Sequence, residues 1–376
     1  MVSALRSRLL HYEAATPPAV GVVFLRGAGR AYCAGGDLRT LYDAGGDGAD
    51  ARARLAAADA FFREEYRLNY VLATLSGGVM PVALMDGLVM GGGVGVSVHA
   101  PFRVATERTV LAMPEAVIGL HPDVGASHLL GRLPGRTGEW MAATGARLTG
   151  AQAVALGLAT HLVPSGRLAD LAARVEAVSP STRGAVDAEL GAFAQATAPA
   201  AGADADARRR AAFPHWAAVD EAFGAATVEG TVATLERWAA AAEAGGGADA
   251  ARGAWAAETL GQLAAGAPVS VKLGVASVRA ARGASLAECL EREHRLSVRC
   301  VQGGEVYEGI RAALVDKDRQ PRWAAPRLED VSDADVAAFM RPLTEEDGVA
   351  PLELERRGAD KYLSVSGGGG GGRSRL

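Results

Sequence analysis

Short apolar runs alternate with longer amphipathic segments through the first half of the chain. Residues 20–25 (VGVVFL) and 81–85 (PVALM) are continuous apolar runs, which is the pattern of strands buried on both faces. Between them, residues 51–75 carry apolar side chains at helical spacing. Strands and helices that alternate in this way predict an α/β arrangement.

The same patterns predict the remaining elements. Short strands are expected at 102–106 and 160–163, and strand signals almost vanish after that. Low-complexity segments at 200–210 and 244–248 are interpreted as loops between helices. The predicted helices span 1–15, 51–75, 94–98, 123–132, 136–144, 227–243, 251–265, 269–281 and 286–301, with one more that Thr149 caps and Gly157 closes.

This change of pattern divides the chain into three parts. An α/β core is predicted for residues 1–180, and a helical region is predicted for residues 181–345. Residues 346–376 are expected to form a flexible tail, because residues 367–372 are a run of glycines.

Two glycine-rich turns follow the first two predicted strands. One covers residues 27–36, after which Asp37 can cap a helix, and the other is the triple glycine 91–93. Glycine lets backbone N–H groups approach a ligand without a Cβ in the way. The triple glycine is not a phosphate-binding loop, because no Lys-Ser or Lys-Thr pair follows it.

Composition narrows the possible functions. The 376 residues carry a net charge of −4, which argues against a general nucleic-acid binder. The three cysteines form no CxxC pair and no HExxH segment is present, so no metal site is expected. No apolar run reaches the length of a membrane span, so no membrane partner is expected either.

Two acidic residues stand among apolar neighbours in the segment MPEAVIGLHPD. They are Glu115 and Asp123, and a carboxylate in such surroundings is costly to bury unless it has a partner or a use. His99, His121 and His128 lie nearby, but the chain contains no GxSxG segment, so these histidines are interpreted as structural.

Several segments together resemble one known group of enzymes. AYCAGGDLRTLY and MGGGVGVSVHAPFRVATERTVLAMPEAVIGLHPDVGAS resemble the crotonase (enoyl-CoA hydratase/isomerase) superfamily, and more closely its 3-hydroxyisobutyryl-CoA hydrolase branch. The resemblance runs from about residue 20 to residue 164 and resumes at EHRLSVRC and EGIRAALVDKDRQPRW. It implies a spiral core of strand–helix repeats followed by a helical C-terminal region.

The resemblance also implies roles for particular residues. The N–H groups of Gly36 and Gly92 would stabilise the charge that builds on a thioester oxygen, although each glycine could simply serve a tight turn. Glu115 would be the essential carboxylate, acting as general base on water or as a nucleophile. Asp123 would bind the substrate's 3-hydroxyl or assist departure of the thiolate, or else cap the next helix. Glu64 matches a substrate-contacting glutamate, with the neighbouring Glu65 as one alternative and a position on a solvated helix face as the other.

Gly95 bears on the type of reaction. Hydratases of this superfamily carry a second catalytic glutamate at the position of Gly95, so hydration is expected to be poor. The resemblance therefore implies hydrolysis of a short 3-hydroxyacyl-CoA, most specifically 3-hydroxyisobutyryl-CoA in valine catabolism. The alternatives are an enoyl-CoA hydratase or isomerase, or a CoA-binding module without catalysis. No cofactor is expected, because CoA enters as part of the substrate, and Arg26, Arg30, Lys272 and Lys317 are the basic candidates for its phosphates.

The two ends of the chain carry further expectations. Superfamily members normally begin with additional strands, so a truncated gene model or a copy that has lost them is expected, with an exposed sheet edge as the consequence. The C-terminal Ser374-Arg375-Leu376 resembles a peroxisomal address, which predicts a peroxisomal location and import receptor. Residues 1–15 could serve as a mitochondrial presequence, but we interpret them as a surface helix.

Overall fold

In the computed structural model of this chain, the described residues form eight strands in two four-stranded sheets. The structure describes residues 1–15, 20–44, 50–178, 181–195, 204–245, 250–355 and 357. The strands are β1 (Val22–Arg26), β2 (Ala31–Cys33), β3 (Met80–Met85), β4 (Leu88–Met90), β5 (Phe102–Ala105), β6 (Val110–Ala112), β7 (Leu148–Thr149) and β8 (His161–Leu162).

Consecutive strands of the chain go to different sheets. One sheet has the order β1-β3-β5-β8 and is parallel throughout, with Val22 opposite Met80 and Val82 opposite Phe102. The other has the order β2-β4-β6-β7, in which only the β6–β7 pair is antiparallel. Each strand pair therefore adds one strand to each sheet, and the chain winds as a spiral. The predicted α/β class and spiral core are confirmed.

Seventeen α-helices fall within the described residues, and they dominate the second half of the chain. They are α1 (Val2–Ala14), α2 (Leu38–Ala44), α3 (Ala51–Thr74), α4 (Gly92–Gly95), α5 (Ala126–Leu130), α6 (Thr137–Thr144), α7 (Gly150–Ala155), α8 (Leu168–Glu176), α9 (Arg183–Phe193), α10 (Ala205–Ala212), α11 (Trp216–Phe223), α12 (Val228–Gly245), α13 (Ala250–Ala265), α14 (Pro268–Ala280), α15 (Leu286–Gln302), α16 (Glu305–Ile310) and α17 (Asp333–Met340).

The predicted helices and strands lie close to the observed ones, but two predictions fail. The strands of the second sheet were missed, because β2, β4 and β6 have only three residues each, next to turns, and leave too short a pattern. The loop predicted at 200–210 is wrong from residue 204 onward. The side chain of Asp204 accepts a hydrogen bond from Ala207 N (2.6 Å) and so caps α10, which begins at Ala205.

Helix α3 is the longest helix within the described residues and carries several residues of the site described below. The side chain of Asp50 caps it by accepting a hydrogen bond from Ala53 N (2.7 Å). Its buried face includes Phe62 and Tyr66, and it packs against α1 and α15. Because α15 comes from the C-terminal half, the contact brings residues more than 200 positions apart in sequence into one site.

The two halves of the chain share one hydrophobic core. The largest cluster of buried apolar side chains runs from Leu9 in α1 to Leu352, and a smaller cluster lies between the first sheet and helices α8 and α9. The C-terminal helices thus complete the core of the strand–helix spiral. The boundaries at residues 180 and 345 remain predictions, but Leu352, from the predicted tail, is part of this core. Among the described residues, no helix is both long and apolar enough to span a bilayer.

Candidate active site

The two glycine-rich turns face each other across a narrow gap. Gly36 precedes α2, and Gly92 is the first residue of α4. A Cβ on Gly92 would lie 3.3 Å from Gly36 N and would overlap the Glu65 carboxylate, so only glycine leaves this space open. Within the described part of the chain, neither N–H donates a hydrogen bond. Two free backbone donors therefore lie at one place.

A cavity of about 310 Å³ opens beside these turns. Phe61, Phe62, Met90 and Leu120 are among its apolar walls, and three carboxylates line it. The carboxylates belong to Glu65, Glu115 and Asp123, which are 6%, 5% and 4% exposed. Three larger hollows, of about 720, 570 and 440 Å³, contain none of these carboxylates, so size alone does not locate the active site.

Glu115 opens a short 3₁₀ helix, Glu115–Ile118, that follows β6. Its Oε1 would lie 2.8 Å from a Cβ on Gly91, next to the second glycine turn. Its Oε2 has no hydrogen-bond partner among the described residues. Burial, and then the charge of Asp123, raise the pKa of Glu115 well above its usual range. Glu115 is therefore a buried acid with one carboxylate oxygen, Oε2, that no described residue engages.

Asp123 is held by a hydroxyl group from α3. The Tyr66 hydroxyl donates to Asp123 Oδ2 at 2.7 Å. Burial raises the pKa of Asp123 to about 6, against the lowering effect of the Tyr66 hydrogen bond. The alternative role of Asp123 as a helix cap is wrong for its side chain. Helix α5 begins at Ala126, and the carboxylate at its start is Glu293, which accepts from Gly125 N (2.6 Å) and Ser127 N (2.8 Å).

The assignment of Glu64 to the site needs correction by one residue. Glu64 lies outside the cavity, where it pairs with Arg6 (3.4 Å) and Arg67 (3.6 Å). Glu65 lines the cavity instead, and burial followed by the charge of Asp123 raises its pKa to about 8. Adjacent residues of a helix point about 100° apart, so the packing of α3 against α15 decides which glutamate faces inward.

Sequence patterns missed Glu293 and Ser297, which stand on the buried face of α15. Burial raises the pKa of Glu293 to about 7 against hydrogen bonds from Ser127 and Gly125. Both residues belong to the segment EHRLSVRC. The available signal was their spacing of four positions on an amphipathic helix, which places them on one face.

The position of the hydratases' second glutamate has no room for a side chain. A Cβ on Gly95 would lie 2.6 Å from Val124 Cβ and 2.8 Å from Asn69 Nδ2. Both distances are far below ordinary van der Waals contact. The second carboxylate expected of a hydratase is therefore absent from this position and sterically excluded.

The other candidates do not join the cavity. His99 contacts Val124 O through Nε2 (2.7 Å), and Cys33 donates weakly to Gly35 O (3.7 Å). Lys272 is buried and pairs with Glu229, which removes it as a CoA phosphate contact. In the described ranges, no group of three or more His, Cys, Asp or Glu side chains could hold a metal ion.

Comparisons with known proteins find the same family that the sequence motifs resemble. A family model described as "Enoyl-CoA hydratase/isomerase" matches residues 1–340. "3-hydroxyisobutyryl-CoA hydrolase 1" of Arabidopsis thaliana is 40% identical over 92% of this chain and 86% of its own. "3-hydroxyisobutyryl-CoA hydrolase, mitochondrial" of Gallus gallus is 38% identical over 88% of this chain and 79% of its own.

Two further proteins are similar to this chain but are not named as hydrolases. The crystal structure of a carnitinyl-CoA dehydratase from Mycobacterium thermoresistibile aligns with a TM-score of 0.74 at 34% identity, covering 91% of this chain and 88% of that one. "Small ribosomal subunit protein mS47" of Arabidopsis thaliana is 35% identical over 92% of this chain and 80% of its own. A similar sequence therefore does not always carry an enzyme's name.

The predicted peroxisomal location is wrong. The relatives from Gallus gallus, Xenopus tropicalis and Danio rerio are named mitochondrial, and no finding supports a peroxisomal location or import receptor. Ser374-Arg375-Leu376, on which the prediction rested, lies outside the described residues. Three residues match a short address by chance often enough that they carry little information by themselves.

Proposed function

Because the chain belongs to the enoyl-CoA hydratase/isomerase family, we propose that it is an acyl-CoA thioester hydrolase that converts 3-hydroxyisobutyryl-CoA into 3-hydroxyisobutyrate and CoA, as in valine catabolism. One observation carries the proposal. Two backbone N–H groups that no described residue engages, from Gly36 and Gly92, share a cavity with three buried carboxylates.

The two N–H groups would receive the thioester oxygen. Attack on a thioester carbonyl builds negative charge on that oxygen, and each donor aimed at it is worth about 2.7–4 kcal/mol of transition-state stabilisation. A low-dielectric wall that includes Phe61 and Phe62 strengthens this interaction. Gly36 and Gly92 would thus form the oxyanion hole.

Glu115 would activate the attacking water or attack the carbonyl itself. Its Oε2 has no partner among the described residues, so it is available to a substrate or a water. Burial and the charge of Asp123 favour its protonated form, whereas either role requires the ionised form. The rate should therefore rise with pH above the usual range of a glutamate.

Glu65 and Asp123 would take the two remaining roles, which are binding the substrate's 3-hydroxyl and protonating the leaving group. At neutral pH Glu65, with a pKa of about 8, is a carboxylic acid that can donate a hydrogen bond to the substrate's 3-hydroxyl. Asp123 has a lower pKa, about 6, so its protonated fraction, which grows as pH falls toward 6, would hand a proton to the departing CoA sulfur. The lack of space at Gly95 supports hydrolysis over hydration.

Release of free thiol from 3-hydroxyisobutyryl-CoA by the full chain tests the proposal. Wild-type protein should release thiol rapidly, and Glu115→Ala should lower kcat by at least about 10²-fold, the usual contribution of a general base. Glu64→Gln is the matched control, because Glu64 lies outside the cavity on the same helix as Glu65.

Other outcomes would point to the alternatives. Hydration of crotonyl-CoA without thiol release would indicate a hydratase. Binding of CoA by a correctly folded wild-type protein that releases no thiol would indicate a non-catalytic module, and would refute the proposed hydrolase.

A further inference from the structure

A side chamber adjoins the candidate active site. It is the hollow of about 570 Å³, and Pro114, Val117 and Arg147 line both this chamber and the cavity that holds the three carboxylates. Val117 is 40% exposed and Arg147 is also exposed, so part of the boundary between the two spaces consists of exposed side chains. A small molecule that forms in the cavity can therefore reach the chamber by passing these side chains.

Arg147 is a cation without a counter-charge. Its guanidinium forms no ion pair or hydrogen bond with any described residue, and no other described Lys or Arg lines the cavity or the chamber. Glu258 is the one described acid of the chamber; it is exposed, and Gln262 Nε2 donates to its Oε1 at 3.2 Å. A carboxylate ligand would supply the charge that Arg147 lacks, because a guanidinium can bind a carboxylate through two parallel N–H groups.

Trp140 provides a second donor, and this one is buried. Trp140 lies on α6, lines the chamber and is only 8% exposed, yet its Nε1 has no hydrogen-bond partner among the described residues. An indole N–H can only donate, so a ligand with an acceptor would satisfy it. The hydroxyls of Thr144 and Thr259 are already engaged, since they donate to Trp140 O (2.6 Å) and Trp255 O (2.7 Å). The chamber therefore offers a ligand the N–H groups of Arg147 and Trp140.

The remaining walls suit a small apolar body. The rings of Phe213 and Trp140 meet edge to face with centroids 6.0 Å apart, and His215 stacks on Trp255 at 5.7 Å. Aromatic walls with a few placed polar groups are typical of sites for small ligands. A short-chain carboxylate, which has one anionic end and an aliphatic body, matches this combination of walls and donors.

The proposed reaction supplies such an anion. Hydrolysis forms a carboxylic acid in a cavity that Glu65, Glu115 and Asp123 line, and the free acid ionises at neutral pH. Burial and the neighbouring acids both disfavour a further carboxylate in that cavity. Arg147, at the boundary with the chamber, is the cation toward which the anion is attracted.

We propose that the side chamber is a second binding site, which takes up the short-chain hydroxycarboxylate released by hydrolysis, with Arg147 as the anion anchor and Trp140 as the second donor. The inference rests on the proposed function and identifies where its acid product goes. Because the chamber lies beside the cavity, the acid should bind there while CoA occupies the cavity.

Calorimetric binding of 3-hydroxyisobutyrate to the full chain tests this site without turnover. Arg147→Met removes the charge but keeps an extended side chain, and should raise Kd about 10–100-fold, the usual effect of losing charge-assisted hydrogen bonds; Arg147→Lys should recover part of the affinity. Trp140→Phe keeps an aromatic ring without the N–H and should raise Kd about 2–10-fold. Arg174→Met is the matched control, because Arg174 is an exposed arginine that lines neither space. Thermal unfolding of each variant reports folding separately.

Three outcomes would overturn the inference. Binding that is unchanged in Arg147→Met and tighter in Glu115→Gln would place the acid in the cavity, because Glu115→Gln removes an acid there. Displacement of the acid by CoA alone would show that both compete for one space. A wild type that releases thiol but does not bind the acid would exclude the second site and leave the hydrolase intact. A wild type that binds the acid through Arg147 but releases no thiol would instead refute the hydrolase and leave the site.

Discussion

Asp123 and Asp347 are each only 4% exposed, yet their environments are opposite. Asp347 accepts from Arg299 through both oxygens (3.1 and 3.2 Å), from Arg341 (3.1 and 3.3 Å) and from Thr344 N (2.7 Å). Burial raises its pKa, but the hydrogen bonds from Thr344 and Arg299 outweigh burial and lower it to about 2. Asp123 has Tyr66 and acidic neighbours, and its pKa rises to about 6.

The difference shows what burial of a carboxylate means in this molecule. Asp347 joins the segment after α17 to helix α15 and meets every requirement of a buried charge. Asp123 accepts one side-chain hydrogen bond, from Tyr66, and among the described residues no ion pair joins Asp123, Glu65 or Glu115 to a cation, although Arg147 also lines the cavity. A buried acid with a counter-charge stabilises the fold, whereas a group of buried acids without one marks a place where protons move.

The largest effects are expected from substituting the two aspartates, because one substitution should lower activity and the other should lower stability. Asp123→Asn should lower kcat about 10²-fold or more and leave the free energy of unfolding unchanged or higher. Asp347→Ala should leave kcat per folded molecule unchanged and lower the free energy of unfolding by about 3 kcal/mol, because Arg299 would remain buried with less compensation. Urea unfolding and thiol release on both variants check this. A large loss of stability in Asp123→Asn, or a large loss of kcat in Asp347→Ala, would contradict the comparison.

The dependence of stability on pH should have opposite signs for the two residues. The pKa of Asp347 is lowered on folding, so its stabilisation is present above pH 4 and is lost as pH falls through about 2. The pKa of Asp123 is raised, so its contribution is complete below pH 4 and is lost as pH rises through about 6. That loss corresponds to about 3 kcal/mol.

Urea unfolding of wild type and Asp123→Asn at pH 4 and pH 7 measures the Asp123 contribution. The variant should gain stability relative to wild type at pH 7 and lose that advantage at pH 4. Equal differences at the two pH values would mean that Asp123 titrates in the folded protein as it does in the unfolded chain.

The smallest expected effect separates two adjacent glutamates. Glu65→Leu, which removes the hydrogen-bond donor, should raise KM for 3-hydroxyisobutyryl-CoA about 10-fold, since one hydrogen bond is worth about 0.5–1.5 kcal/mol. Glu64→Gln breaks ion pairs at the surface and should change stability by under about 1 kcal/mol and KM not at all. Steady-state kinetics on both variants measure these effects. A larger rise of KM at Glu64 than at Glu65 would identify Glu64 as the substrate-contacting glutamate.

Much of the fold was predictable because its signals are local. Continuous apolar runs predicted β1, β3 and β5, and helical spacing predicted α3 and the helices from α12 to α15. The sequence also favoured Glu115 and Asp123 as unusual acids and identified both glycine turns. The second sheet was not predictable, since three-residue strands next to turns have too few positions to show alternation.

What the sequence determined by itself is the set of residue types and their order along the chain: the alternation of strands and helices, two glycine turns, and acids among apolar neighbours. Tertiary packing decided which of these groups meet. It turned Glu65 inward and Glu64 outward, placed Glu293 at the start of α5, and joined Tyr66 to Ser297 across 231 positions of sequence. The reason is physical: periodicity reports which face of an element is buried, but the pKa of a buried acid depends on which charges and donors other elements bring against that face.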